Sequence, residues 1–217
     1  MLFNINCCPL IFLLLTNFSL SLTTSFGTGS GLTLVKLSQI FQPCGVENSI
    51  APGESISCSK ALPLIQSAAS KYSLTTNEQL AFYLSTIAIE SGNLSFNKNH
   101  FPGRIGQGTY SMLMSPNLYA FYKTEINNNS IQYNENDDNS KAQLLNYLNQ
   151  NELYFLPGAW WIAKGAGEIQ NSSCNSLKND LVNADTSKVA QLFTTCLGVD
   201  GMSRVSAYKN ALQVLNS

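Results

Sequence analysis

The side chain with the clearest chemical promise is the carboxyl of Glu90, which stands near the end of residues 75–92, TTNEQLAFYLSTIAIESG. Leu80, Leu84, Ile87, Ala88 and Ser91 recur there at helical spacing. At about 100° per residue, Glu90 falls beside Tyr83 and Ile87, on the edge of the apolar stripe and not opposite it. A carboxyl half set in an apolar wall is disfavoured in its charged form, which suits it to donate a proton as a general acid. The alternative, a solvated glutamate that merely ends a helix, stays open on periodicity alone. After Glu90 comes a polar, Gly-broken loop, SFNKNHFPGRIGQGTYSMLM, that offers the floor of a cleft.

Other chemistries find little support. The chain has no G-x-S-x-G, Walker sequence, dinucleotide fingerprint or H-E-x-x-H. No C-x-x-C occurs and the single histidine, His100, is remote in sequence from the cysteines, so neither a metal nor a cofactor is expected. Beyond Cys7 and Cys8, four cysteines remain: Cys44, Cys58, Cys174 and Cys196. Three pairings are possible, and the short local loops favour Cys44–Cys58 with Cys174–Cys196. Two disulfides leave no thiol for nucleophilic catalysis. Carboxylate chemistry remains, and in an exported, disulfide-bonded helical domain it suits cleavage of a glycosidic bond, where one protonated carboxyl expels the leaving oxygen.

The elements that must position Glu90 read as helices. Thr75 with Glu78 matches a capping box, with Thr76 and Asn77 as further N-cap choices. Leu62, Ile65, Ala69 and Tyr72 form an earlier stripe, with Pro63 near its start. LYAFYKTEI follows Asn117, and Ser140 is read as the cap of KAQLLNYLNQ. Asp185 or Thr186 opens SKVAQLFTTCL, and Val205, Tyr208, Leu212 and Leu215 mark a final helix. Residues 127–140 are poor in apolar side chains and read as a loop. LTLVKLSQIF is left open between a short strand and one helical turn. With no internal repeat and almost no strand signal, the fold class is all-α, or mainly α, in a single domain.

Residues 1–21 carry no charged side chain, and the Ile-, Phe- and Leu-rich run Pro9–Leu20 suits a signal peptide better than a membrane span. Residues 22–43, opening TTSFGTGSG, read as a linker-like segment, which leaves 44–217 as the domain. A secreted protein is expected, with Asn93, Asn128 and Asn171 as possible glycosylation acceptors. The formal charge of −1 gives no electrostatic case for nucleic acid or an anionic membrane, and suits a neutral polymer as partner.

The order of QLAFYLSTIAIESG, GRIGQGTYSM, GAWW and CLGVDGMSRVSAYKNALQVL resembles the lysozyme-like superfamily of helical glycoside hydrolases. The resemblance covers roughly Cys58 to Leu215. It is closest to secreted fungal lysozyme-like domains, some of them muramidases, at Ile89–Gly92, Ile105–Thr109 and Leu156–Trp161. It is more distant to family 19 chitinases. It implies a lysozyme-like domain with a substrate cleft, Glu90 as catalytic acid, and Gln107 and Thr109 as cleft-lining residues, with Arg104 as the loop arginine. To these the chemistry of sugars adds Tyr110, to stack on a pyranose, and His100, to hydrogen-bond a hydroxyl. Of Trp160 and Trp161, one is expected in the core and the other, Trp161, at the cleft. The segment 198–204 is expected to shape the far wall, with Asp200 as a turn residue or a contact.

The implied activity is cleavage of β-1,4 bonds in an N-acetylglucosamine-containing wall polymer by a monomer, peptidoglycan before chitin. Two departures stand out. Ile89 replaces the histidine of plant family 19 enzymes, and no Asp or Glu lies between Glu90 and Glu125. An inverting hydrolase needs a second carboxyl about 6.5–9.5 Å from the first, for which Glu125, Glu168 and Asp200 are the candidates. Failing all three, Glu90 acts alone with help from the substrate's own acetamido or hydroxyl group. The rivals are a wall-binding or effector protein that keeps the fold without the reaction, and a helical lipid carrier.

Overall fold

The computed structural model describes residues 31–217. The signal peptide expected at 1–21 and the opening of the 22–43 segment lie outside the described residues. Nine α-helices are present among the described residues: α1 Leu34–Ile40, α2 Cys58–Lys71, α3 Asn77–Glu90, α4 Ser115–Phe121, α5 Asp138–Gln150, α6 Leu156–Trp160, α7 Leu177–Asp180, α8 Thr186–Leu192 and α9 Gly201–Asn216. Three run on into wider π turns, at Tyr122–Ile126, Trp161–Gln170 and Phe193–Leu197. Extended pairing among the described residues is confined to isolated bridges, Lys98 with Gly108 and Gly108 with Leu113. The fold is mainly α, and both favoured disulfides form, Cys44–Cys58 and Cys174–Cys196. None of these helices is long and apolar enough to cross a membrane.

α3 is the axis of the core. Every residue from Gln79 to Ile87 is buried, so the helix is covered all round and not along one stripe. Its polar residues tolerate this because their hydroxyls bond back to the helix: Ser85 and Thr86 donate to Phe82 O, and Ser91 donates to Ile87 O. α9 is its main partner. The two run antiparallel, since Asn77 Nδ2 donates to Asn216 Oδ1 at one end and Glu90 meets Arg204 at the other.

Several expectations shift by a turn or less. Thr76 and not Thr75 caps α3, with Gln79 as its capping-box partner. Gln79 Oε1 accepts from Thr75 N and Thr76 N while its Nε2 donates to Lys178 O. A buried amide can do both; Glu78 could only accept. α2 begins at Cys58, which moves Pro63 into the second turn, where its missing N–H does cost a helical bond. α5 is capped by Asp137, and Ser140 instead ties the preceding loop by accepting from Asn134 N and donating to Gln132 O. The linker-like reading of 22–43 fails from residue 34 onward. Residues 34–40 form a helix whose Leu37 and Ile40, with Phe41 after it, lie in the core. Apolar spacing there serves packing on α2 and α9.

Candidate functional site

The cleft is built where the C-terminus of α3 meets the N-terminus of α9. Glu90 is the last residue of α3, and Arg204 lies in the first turns of α9, which Asp200 caps by accepting from Met202 N. Each charge sits at the wrong end of its own helix dipole: an acid at a C-terminus and a base near an N-terminus. Because the helices are antiparallel, each sits at the right end of its neighbour's. Arg204 Nη1 and Glu90 Oε1 are 2.7 Å apart, and the two side chains are 17% and 21% exposed. The pair is half-withdrawn from solvent, which strengthens it relative to a surface ion pair.

Glu90 borders a cleft of about 240 Å³. Thr86 and Tyr83, one and two turns back along α3, share its face of the helix. The loop after α3 supplies Arg104, Gln107 and residues 111–114. The opposite wall comes from α6 and two π-turn segments, through Gly158, Trp161, Ile162 and Leu197. π turns inside helices recur at functional sites because they reset the direction of the side chains that follow. Trp161 is fixed by donating Nε1–H to Cys196 O, next to the Cys174–Cys196 bridge.

The loop is held by its own backbone. Asn99 N donates to Gln107 O, Gly108 N to Leu113 O, and Asn99 Oδ1 accepts from the N–H groups of Gly103 and Arg104. Gly108 is needed for the close approach, since a Cβ there would stand 2.5 Å from Asn97 O. The turn that follows Glu90 is joined to the Cys44–Cys58 loop through Gly45 N to Asn93 O and Ile56 N to Leu94 O. That disulfide therefore stabilises the exit from the Glu90 helix.

The structure gathers Glu90, Gln107, Arg104 and Trp161 at one cleft. Gln107 has both ends of its amide engaged within the loop, Nε2 donating to Met112 O and Oε1 accepting from Asn99 Nδ2. Trp160 is fully buried in the core, as one of the two tryptophans was expected to be. Three expected contacts lie elsewhere. Tyr110 is buried, stacks on Phe155 and donates its hydroxyl to Glu54 O. It is a core aromatic because the loop turns it inward at the adjacent residue, Thr109, which has φ 60° and is itself wholly buried. His100 pairs with Glu54 at 3.0 Å and is outside the cleft lining.

None of the three candidate second acids lines the cleft. Glu125 is held by Lys71, Lys164 and Tyr72, Glu168 is exposed, and Asp200 is a helix cap. Sequence reading missed Tyr83, Thr86, Ser111, Asn117 and Ile162 as lining residues. The first two were within reach, being seven and four residues before Glu90 on one helix face. The others come from separate elements that only the fold brings together.

No family model matches the chain, and no solved structure matches it. A stretch of 158 residues, 70% of the chain, is 27% identical to a bifunctional dioxygenase (DOX)-epoxy alcohol synthase (EAS) of Fusarium oxysporum strain Fo5176. The match spans 12% of that much longer protein.

Proposed function

We propose that this chain is a secreted lysozyme-like glycoside hydrolase that cuts β-1,4 bonds in an N-acetylglucosamine-containing wall polymer, peptidoglycan before chitin. The observation that carries the reading is a carboxylate at the end of a buried helix, facing a cleft that no other Asp or Glu among the described residues lines. The order of the ESG, GQGT and GAWW motifs supports it, since three of the residues they contribute meet at that cleft: Glu90, Gln107 and Trp161. The two disulfides suit an exported protein. The activities in the Fusarium protein's name belong to a chain of which the match covers 12%, and they are not carried over.

With one carboxyl in the cleft, the chemistry runs through Glu90 twice. In its protonated form Glu90 gives its proton to the leaving glycosidic oxygen as the bond to the anomeric carbon breaks. The substrate's own acetamido oxygen closes on that carbon to form a cyclic intermediate. Water then opens this intermediate while Glu90 takes the water's proton and is restored. Arg204 fixes the carboxyl in position and stabilises the charge left when the proton has gone.

A second reading is favoured by the same missing acid: a wall-binding protein that keeps the cleft and lacks the reaction. Incubating the protein with peptidoglycan and with chitin separates the readings. New reducing ends from peptidoglycan, lost in Glu90→Gln, support the hydrolase; release from chitin alone changes the substrate. Binding without release from either polymer supports the binding protein, and equal release by the mutant removes Glu90 from the chemistry.

A further inference from the structure

The cleft holds one charge that the fold leaves unanswered. Glu90 and Arg104 are the charged side chains among its lining. Glu90 is neutralised by Arg204, which is not part of that lining. Arg104 has no such partner: no carboxylate among the described residues pairs with it, and residues 1–30 contain neither Asp nor Glu. The nearby cations of other segments are spent, His100 on Glu54 and Lys141 on Asp138. The cleft is therefore locally positive on its loop side, although the whole chain has a formal charge of −1.

A second observation concerns how this guanidinium is carried. Arg104 N donates to Asn99 Oδ1 and Arg104 O accepts from Gln107 N, so the main chain is fixed on both sides. Gly106 presses the loop onto α4 and α5, where a Cβ would stand 2.6 Å from Lys141 Cβ and 2.9 Å from Ser115 Oγ. The arginine side chain itself stays exposed, with Nη1 4.0 Å from Met114 Sδ. Met114, Ile105 and Phe101 are also exposed, Phe101 at 76%. An anchored cation with uncovered apolar side chains around it in sequence suits a ligand whose negative charge sits on a short apolar stem.

We propose that Arg104 binds a carboxylate borne by the wall polymer beside its sugars, and so sets the preference for peptidoglycan over chitin. This rests on the saccharide-cleaving reading above and names the group that decides between its two substrates. In peptidoglycan alternate sugars bear a lactyl ether, which ends in a carboxylate or continues into a short peptide with carboxylates of its own. Chitin has no such group. A guanidinium meets a carboxylate with two parallel N–H···O bonds, whereas a chitin chain would displace its water without replacing the charge. Arg104 reads the polymer and takes no part in breaking the bond.

Peptidoglycan whose carboxylates have been turned into amides, with carbodiimide and ammonia, separates this charge from the sugar chain. The unmutated chain should cleave native peptidoglycan with a kcat/KM about three- to tenfold above that for the amidated polymer, and salt should narrow the gap. The difference should lie in KM, as it does for a contact made equally before and during reaction. Arg104→Gln should close the gap, and Arg104→Lys, which keeps the charge without the fork, should restore part of it. Neither variant should melt lower, as a merely structural arginine would. Strands stripped of peptide by an amidase, compared with their own amidated form, tell the two sources apart: a gap that persists assigns the lactyl carboxylate, and one that vanishes assigns the peptide. Equal cleavage of native and amidated peptidoglycan, or a gap that survives Arg104→Gln, overturns this contact and leaves the hydrolase standing. No cleavage of either wall polymer overturns the hydrolase instead. Co-sedimentation with native and amidated peptidoglycan then reads the same ratio: binding that depends on both the carboxylates and Arg104 upholds the contact, and any other result removes it as well.

Discussion

Glu90 and Glu125 are both partly buried and both ion-paired, yet their surroundings assign them different work. Glu125 accepts from the Tyr72 hydroxyl at 2.9 Å and lies 3.5 Å from Lys71 and 2.5 Å from Lys164. Those partners come from the end of α2 and from the π turn after α6, so the carboxylate pins three elements together. Its lone pairs are spent inside the protein. Glu90 has one cationic partner among the described residues, Arg204, and a cleft on its remaining side. A carboxylate is available for chemistry when the fold holds it firmly but leaves part of its valence unused. Burial alone does not separate the two, since Glu125 is the less exposed at 11% against 21%.

The sharpest way to break the comparison is to neutralise each acid in turn. Glu90→Gln should lower the release of reducing ends by about 10²–10⁴-fold, the usual worth of a general acid, and should lower the melting temperature too, since it leaves Arg204 without its ion-pair partner. Glu125→Gln should lower the melting temperature while leaving turnover per folded molecule unchanged. Loss of turnover in Glu125→Gln alone would exchange their roles. Loss of turnover in both would mean that Glu125 reaches the site through the Trp161–Gln170 segment.

A second substitution sharpens the contrast by taking away the cleft wall instead of the acid. Cys174→Ser with Cys196→Ser opens the bridge beside the carbonyl that holds Trp161. By loop-closure entropy the loss of stability is about 3 kcal/mol. For a domain of this size that is a fall of roughly 6–12 °C in melting temperature. Unlike Glu125→Gln, it should also cost turnover in molecules that remain folded, because the Trp161 wall is freed. Melting curves and reducing-end assays on the same preparations separate the two effects.

What was legible in the sequence was local. The position of Glu90 on the edge of its helix follows from helical spacing, and the two disulfides follow from short loop closure, because both depend on residues close in the chain. Tyr110 shows the limit. Its aromatic face looked suited to a sugar, but Thr109 adopts φ 60° and turns the next side chain into the core, which no spacing rule anticipates. Arg204 shows it again. Its pairing with Glu90 depends on α3 and α9 lying antiparallel, and sequence patterns report which face of a helix is buried without saying against what. The same gap explains α1: its apolar residues read as a linker with one ambiguous turn until α2 and α9 are there to cover them.

The smallest expected effect concerns acid stability, and it is where Glu125 should betray its structural role. Burial pushes its carboxyl up, but the hydrogen bonds from Lys164 and Tyr72, with the charges of Lys164 and Lys71, outweigh this and leave it below the ordinary carboxylate range. A carboxyl depressed in the native state contributes stability above its unfolded value, near 4.3, and that contribution is lost as pH falls through the lower native value. Urea midpoints taken from pH 6 downward should therefore fall more steeply for the unmutated chain than for Glu125→Gln, with the two curves converging in acid. At neutral pH the gap should be about 1–2 kcal/mol, because Lys71 and Lys164 are 42% and 44% exposed and regain water when their partner is neutralised. Parallel curves would mean that the two lysines do not hold Glu125 in solution, and the distinction between a pinned and an available carboxylate would fail at its better-anchored end.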